Sequence, residues 1–277
     1  MIYSQKAYTD LHDYLNLQRF ETDEITMCFE LIDGKAICLP YSPCGGISVS
    51  SISEEKFLST YELWENELKS KGIETVEITL PIEVYDTIEK SWLISLGYEV
   101  SQSETAHYLP LSGKCESRMH EMQLRKLKKL TQLRYQEINP NELPSIYRFI
   151  QCNRSKKDIP LNVSLESLEK MFAALPEHYQ IHAAYVGDAL VACCIMVIPS
   201  EDVGYYFLPA SSFDKHSMSP MVGLIYYMYY YYQSRHFRYL DLGISSILGA
   251  PQESLIAFKE RMGGTRTSRL TYLKSIQ

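Results

Sequence analysis

The chain has 277 residues, 45% of them hydrophobic and 22% charged, with a net charge of −7. That is ordinary globular material, long enough for two domains, and its acidic balance argues against a general nucleic-acid binder. No apolar run reaches membrane-spanning length and Met1–Lys6 lacks the charged-then-apolar layout of a signal peptide, so a cytoplasmic protein without a membrane span is expected.

The first elements in chain order are a weakly patterned helix around Thr9–Phe20, then Ile25–Ile32 and Ala36–Pro40 as a hairpin across Asp33-Gly34, a dipeptide suited to two-residue turns. Pro43-Cys44-Gly45-Gly46 breaks the pattern before a strand at Ile47–Ser50. Ser53 caps a helix whose apolar stripe is Phe57, Tyr61, Trp64 and Leu68, ended by Gly72. Val76, Ile78 and Leu80 alternate as a strand. Tyr85, Ile88, Trp92 and Leu96 mark a helix stopped at Gly97, and Tyr98–Leu109 reads as the closing strand. Ser117–Gln132 is helical in period and carries Arg125, Lys126, Lys128 and Lys129. It reads as a connecting helix.

Beyond it, Leu143, Ile146, Tyr147 and Ile150 form one amphipathic helix, and Ser164 caps a second carrying Leu165, Leu168 and Phe172. His182–Val186 and Leu190–Ile198 make a hairpin across Gly187-Asp188, followed by Val203–Pro209 as a third strand. Ser219-Pro220 opens a tyrosine-packed helix with a capping hydroxyl. Tyr239–Gly243 is a short strand with Asp241 near its C-terminal end, where open α/β sheets place ligands. Leu255, Phe258 and Met262 stripe the last helix, Gly263-Gly264 stops it, and Thr265–Leu273 is the closing strand. The two halves share a layout: strand acid, helix, stop glycine, closing strand. From acid to glycine the separation is 20 residues for Glu77 and 22 for Asp241. Seven cysteines without CxxC spacing, two adjacent at Cys193-Cys194, read as buried thiols in a reducing compartment.

This succession resembles the GNAT acyltransferase fold, and a tandem pair joined by a basic helix resembles its Fem-type, peptidoglycan aminoacyltransferase-like branch. The residues that carry the resemblance are Ser42-Pro43-Cys44-Gly45-Gly46, Arg125-Lys126-Leu127-Lys128-Lys129, Asp241-Leu242-Gly243, and Phe258-Lys259 with Gly263-Gly264. It implies an α/β protein of two GNAT-like lobes, each a mixed sheet flanked by helices: a reduced N-terminal lobe at 1–112, a basic connector at 113–132 and a fuller lobe at 133–277.

The chemistry implied by the resemblance is acyl transfer to an amine, which needs a splayed strand pair for the donor, hydrogen-bond donors for the oxyanion and a route for the amine proton. The donor would enter between Val203–Pro209 and Tyr239–Gly243. Asp241 and Tyr206 are the catalytic candidates. Phe207, Leu208, Ser211, Ser212, Lys215, His216 and Lys259 are candidates for holding an acetyl-coenzyme A or other acyl-coenzyme A donor, although the Ala210–Ser219 loop has none of the glycines usual in such a phosphate cradle. Arg154, Lys156 and Tyr205 are candidates for the acceptor. Each has a plainer reading: Asp241 as a loop cap, Lys259 as helix-dipole complement, Arg154 and Lys156 as solvated charge, one of Tyr205 and Tyr206 as core. An aminoacyl donor on transfer RNA is the alternative, disfavoured by the net charge and by the lack of a long charged helical hairpin. A silent binding module is the rival outside enzymes. No metal is expected, because His178 and His182 lack a third ligand. Gly243–Ile247 lacks the second glycine of a nucleophile elbow, and neither GxGxxG nor GxxxxGK occurs.

Overall fold

The structure is a computed structural model that describes every residue except Pro40, Tyr41, Ser51, Asp86, His216, Ser217, Leu248 and Gln277, and the side chain of Ile247. The expected end of the second strand at Pro40 and the donor candidate His216 therefore lie outside the described residues. The chain forms two units, one of Met1–Glu104 with Ser268–Gln277 and one of Thr105–Thr267. Among the described residues no helix is long and apolar enough to cross a membrane.

In the first unit the strands are β1 (Leu17–Glu21), β2 (Ile25–Ile32), β3 (Lys35–Cys38), β4 (Ile47–Val49), β5 (Thr75–Thr79) and the start of β6 (Glu99–Pro110), and the helices are α1 (Lys6–Thr9), α2 (Glu54–Ser70) and α3 (Lys90–Ser95). The weak helical pattern at Thr9–Phe20 gives way to β1, which pairs antiparallel with β2 from Leu17↔Glu30 to Glu21↔Thr26. A ladder available on a neighbouring strand outweighs marginal local propensity. The turn at Asp33-Gly34 forms as expected, left-handed at both residues. Ser53 Oγ accepts the Lys56 amide at 3.3 Å to cap α2, and Phe57, Tyr61, Trp64 and Leu68 bury against Phe29, Ile78 and Tyr272. Tyr85 and Ile88 are buried but not helical, so α3 is shorter than the apolar spacing predicts.

The second unit adds α4 (Glu121–Leu127), β7 (Leu133–Ile138), α5 (Leu143–Ser155), α6 (Leu165–Ala174), β8 (Tyr179–Val186), β9 (Ala189–Ser200), β10 (Val203–Ser211), α7 (Pro220–Gln233), β11 (Tyr239–Ile244), the two-residue pair β12 (Ser246–Ile247) and β13 (Ala250–Pro251), α8 (Glu253–Arg261) and the start of β14 (Thr265–Ser275). Its sheet runs β6-β11-β10-β9-β8-β7 and is antiparallel except for β10 with β11. Every residue from Val191 to Pro199 of β9 is buried, the mark of a strand covered on both faces. The tyrosines of α7 are anchored by their hydroxyls: Tyr226 and Tyr230 each donate to Glu116 at 2.6 Å, Tyr229 to the Ser112 carbonyl at 3.0 Å and Tyr232 to Gln180 at 2.8 Å. The expected cap of α7 does not form. Ser219 is left-handed at φ 54° and its hydroxyl makes no capping bond, so Pro220 alone shapes the helix start.

Two sequence expectations change here. The basic stretch is not one connecting helix: only Glu121–Leu127 is α-helical, and Cys115, Met119 and Leu130 belong to the core of the second unit, with Leu124 and Leu127 packed against it. The closing strands are also exchanged. β6, expected to complete the first unit, pairs by its second half with β11, from Tyr239↔Pro110 to Ile244↔Ala106. β14, expected to complete the second, pairs with β5 of the first, from Thr271↔Thr79 to Ser275↔Thr75. The unit boundaries consequently fall at 104 and 267 rather than at 112 and 132. Within this exchange Glu77 and Asp241 hold the same station. Glu77 is parallel to Ile37 on one side and antiparallel to Leu273 on the other; Asp241 is parallel to Tyr205 and antiparallel to Tyr108.

Candidate functional site

In the second unit β10 and β11 pair only at Val203↔Tyr239, Gly204↔Leu240 and Tyr205↔Asp241. β10 then runs on to Ser211 against β9 alone, with a bulge between Tyr206 and Leu208, while β11 shifts register against β6 between Asp241 and Ile244. The strands part directly after Tyr205 and Asp241, and among the described residues β10 has no further strand partner on that edge. Free backbone amides and carbonyls along such an edge can bind an extended ligand arm.

Asp241 stands at the fork, 7% exposed, and its Oδ1 accepts the Gly243 amide at 2.7 Å. That bond bends the chain through Gly243 at φ +70°, where a side chain would be strained and a Cβ would come within 3.2 Å of the Tyr205 ring. The turn aims two carbonyls inward, and Lys259 donates to both, at 2.9 Å to Gly243 O and 2.6 Å to Ile244 O. Lys259 is 3% exposed. Burial pulls its pKa down to about 7, against a smaller opposing pull from Asp241. A buried lysine that changes charge near neutrality, beside a carboxylate at a strand fork, is the arrangement expected of a proton-handling site.

Sequence reasoning missed two members. His107 on β6 is fully buried, with Nδ1 3.1 Å from the Ser245 hydroxyl and Nε2 3.8 Å from the Glu260 carboxylate. Burial, reinforced by Lys259, drops its pKa to about 4, so the ring is neutral at neutral pH. Ser245, also fully buried, is held by its amide to Thr105 O at 2.8 Å and by its carbonyl to the Gln252 amide at 2.9 Å. The sequence carried no signal for them: that Ala106 and His107 are buried in succession is visible only in the folded strand.

The remaining candidates divide. Tyr205 and Phe207 share one face of β10, their rings 6.0 Å apart, beside Gly243. Tyr206 points the other way and packs against the core cluster, its phenol pushed far up by burial, so the structure gives it packing rather than the catalytic place expected. Leu208 is likewise buried, opposite Ile195. Ser211 pairs with Ala192, and the Ser212 amide is spent on Val191 O at 2.8 Å. The following loop is tied to the end of α5: Asn153 Oδ1 accepts the Phe213 amide at 2.9 Å and Lys156 lies 3.4 Å from Asp214. Arg154 donates to Pro160 O at 2.9 Å. Lys156 therefore belongs with the loop that carries the exposed Lys215 rather than with Asp241. The discarded pair is accounted for by packing: His182 meets the Tyr232 hydroxyl at 3.0 Å, and His178 bonds Ile198 O at 2.7 Å.

No family model matches the chain, and no curated protein does. Solved structures do. The crystal structure of FemX is similar over 99% of this chain and 92% of its own, at 10% identity and a TM-score of 0.77. The C-terminal domain of a putative lysylphosphatidylglycerol synthetase from Agrobacterium fabrum is similar over 97% of this chain and 87% of its own, at 9% identity and a TM-score of 0.65. A tandem GNAT protein from the clavulanic acid biosynthesis pathway covers 92% of this chain and 79% of its own, at 11% identity and a TM-score of 0.52. The fold is that of the GNAT and Fem-type proteins, as the sequence resemblance implied.

Proposed function

We propose that the Thr105–Thr267 unit is an N-acyltransferase that moves an acyl group from an acyl-coenzyme A type donor to an amine. The observation that carries this reading is the parting of β10 and β11 directly at Tyr205 and Asp241, with buried Lys259 alongside. In it, the open edge of β10 binds the acyl arm, and Tyr205 and Phe207 wall the reacting carbonyl. Asp241 accepts the proton of the attacking amine. Lys259 gives a proton to the departing thiolate or neutralises the oxyanion, tasks suited to an amine whose pKa is near 7. Lys156 and Lys215 provide charge for the donor phosphates, and Arg154 sits nearby for an anionic acceptor.

A second reading keeps the same residues and changes the donor to an aminoacyl ester on transfer RNA with a cell-wall precursor as acceptor. The Fem-type resemblance of the sequence favours it, and the fold is shared with FemX. A thermal-shift series separates the two, because a ligand that binds only the folded chain raises Tm by mass action. Saturable stabilisation by acetyl-coenzyme A or a longer acyl homologue, with amine acylation seen by mass spectrometry, is the expected result. Stabilisation by charged transfer RNA alone, with a steep salt dependence that flattens in K128Q/K129Q, would replace the first reading by the second. Tight donor binding with no turnover across a broad panel of amines would point to a binding module.

A further inference from the structure

His107 has no role in the transfer outlined above, yet it is placed with care. Its ring is fully buried, and Nε2 has no hydrogen-bond partner among the described residues. The Glu260 carboxylate at 3.8 Å is the group it faces, so a hydrogen on Nε2 is attracted and a lone pair there repelled. That fixes the tautomer: Nε2 carries the proton, Nδ1 is the acceptor, and Ser245 donates its hydroxyl across 3.1 Å. Ser245 directly follows Gly243 and Ile244, whose carbonyls hold Lys259.

We propose that His107 is a positioning residue for the transfer, acting through Ser245 to fix the Gly243–Ser245 turn and, through its two carbonyls, the amine of Lys259 beside Asp241. The inference rests on the acyltransferase reading for its kinetic consequence but not for its structural one. The fold does not require a histidine at that place: in the first unit the residue paired one position before the partner of Glu77 is Tyr272, packed in an apolar cluster, where the second unit has His107 one position before the partner of Asp241. The charged groups around the imidazole are Lys259, Glu260 and Arg266, and the ring's strongly lowered pKa keeps it neutral against them. In this arrangement a protonated His107 would need Ser245 as acceptor, would turn the hydroxyl away, and would set a positive charge against Lys259.

The test compares three full-length variants with the parent. H107L removes the acceptor, S245A removes the donor, and H107N places an amide oxygen where Nδ1 lies. The first readout is the NMR titration of the Lys259 amine in lysine-labelled protein, which needs no substrate. The second is kcat and donor KM over a pH series. H107L and S245A should displace the Lys259 midpoint and lower kcat, by up to about 100-fold for a misplacement on the scale of 1 Å, with donor KM unchanged. H107N should restore both. An unmoved Lys259 midpoint in a folded H107L or S245A overturns the proposal, as does an H107N that behaves like H107L. A parent without turnover would sink the acyltransferase reading while the titration still decides the role of His107.

Discussion

The two units build the same station from different residues. β5 and β11 each carry an acid flanked by a parallel strand and an exchanged antiparallel one. The helix that follows stops in the same way in both: Tyr98 and Gly97 donate to Leu93 O and Ile94 O at 3.0 and 2.9 Å, and Gly264 and Gly263 donate to Lys259 O and Glu260 O at 2.9 Å each. Leu93 therefore stands where Lys259 does, and Tyr272 where His107 does. The fork differs as well. In the first unit the Ser42–Gly46 loop returns across it, the Gly45 amide bonding Thr79 O at 3.1 Å, and at Gly46 a Cβ would fall 2.7 Å from Cys28 O. In the second unit β10 runs on against β9, and among the described residues no strand pairs with its other edge beyond Tyr205. An apolar lining is thus compatible with this scaffold, and burying a lysine and a histidine instead costs stability. At matching places one unit thus buries leucine and tyrosine and the other lysine and histidine.

The most drastic way to break the comparison is to remove the exchanged strand. A chain ending at Thr267 lacks Thr271–Ser275, the partners of β5, and loses buried Tyr272 and Ile276. The first unit should lose its hydrogen-exchange protection while β8, β9 and β10 keep theirs. Equal loss in both would show that the units fold as one cooperative body. Equal retention would show that β14 is dispensable.

Next in size is a pair of matched substitutions at the two acids. D241N should lower turnover by about 10²–10⁴-fold, the usual contribution of a positioned proton acceptor, with donor binding little changed. E77Q, at the same station behind a closed fork, should stay within about twofold of the parent. A D241N enzyme that loses binding and turnover together would instead make Asp241 the structural cap of the Gly243 turn.

Much of this scaffold was legible. Asp33-Gly34 and the Ser53 and Ser164 caps were signalled by residues whose local chemistry admits few alternatives, and the strand pair around Asp241 was implied by the family resemblance. The exchange of β6 and β14 was not, because an alternating strand looks the same whichever sheet receives it, and nothing in Tyr98–Leu109 or Thr265–Leu273 names its neighbour. The site was legible to the extent that it is contiguous: Asp241 and Lys259 sit in one helix-flanked stretch, whereas His107 arrives from a strand more than a hundred residues earlier. Tyr206 was misjudged for a simpler reason. Alternation shows that Tyr205 and Tyr206 face opposite ways, and only packing shows which way the core lies.

Swapping the linings sharpens the comparison. L93K would place an ammonium in the first unit's apolar core, where Leu93 is fully buried, and should cost on the order of 3 kcal/mol or more. K259L removes one partner only and takes the donor from the Gly243 and Ile244 carbonyls, so stability should fall by about 1–3 kcal/mol while turnover falls as well. Thermal unfolding of the two variants checks both losses. A K259L chain as stable as the parent would mean that the Gly243 and Ile244 carbonyls do not need the ammonium for folding.

The change that is smallest per step is the dependence of the second unit's stability on pH. Burial holds His107 near pKa 4 and His182 near 3, below the ordinary 6.5 that both regain on unfolding. The unfolded chain therefore binds more protons between those limits, and stability falls as pH drops below 6.5. Lys259, lowered from 10.5 to about 7, acts in a higher window: the unfolded chain again binds the extra proton, so stability rises from about pH 7 toward 10. Each such group contributes a slope of at most about 1.4 kcal/mol per pH unit. In the opposite sense, the raised phenols of Tyr226 and Tyr231 set the upper limit, because they lose stability once the unfolded tyrosines ionise near pH 10. The second unit should thus be most stable on the alkaline side of neutrality. Urea unfolding from pH 5 to 9.5, followed by exchange protection in β9, measures the slope, and K259L should flatten it above pH 7 while leaving the acid limb in place. A parent profile flat from pH 7 to 9.5 would mean that Lys259 keeps an ordinary pKa, and its role would reduce to that of a fixed charge.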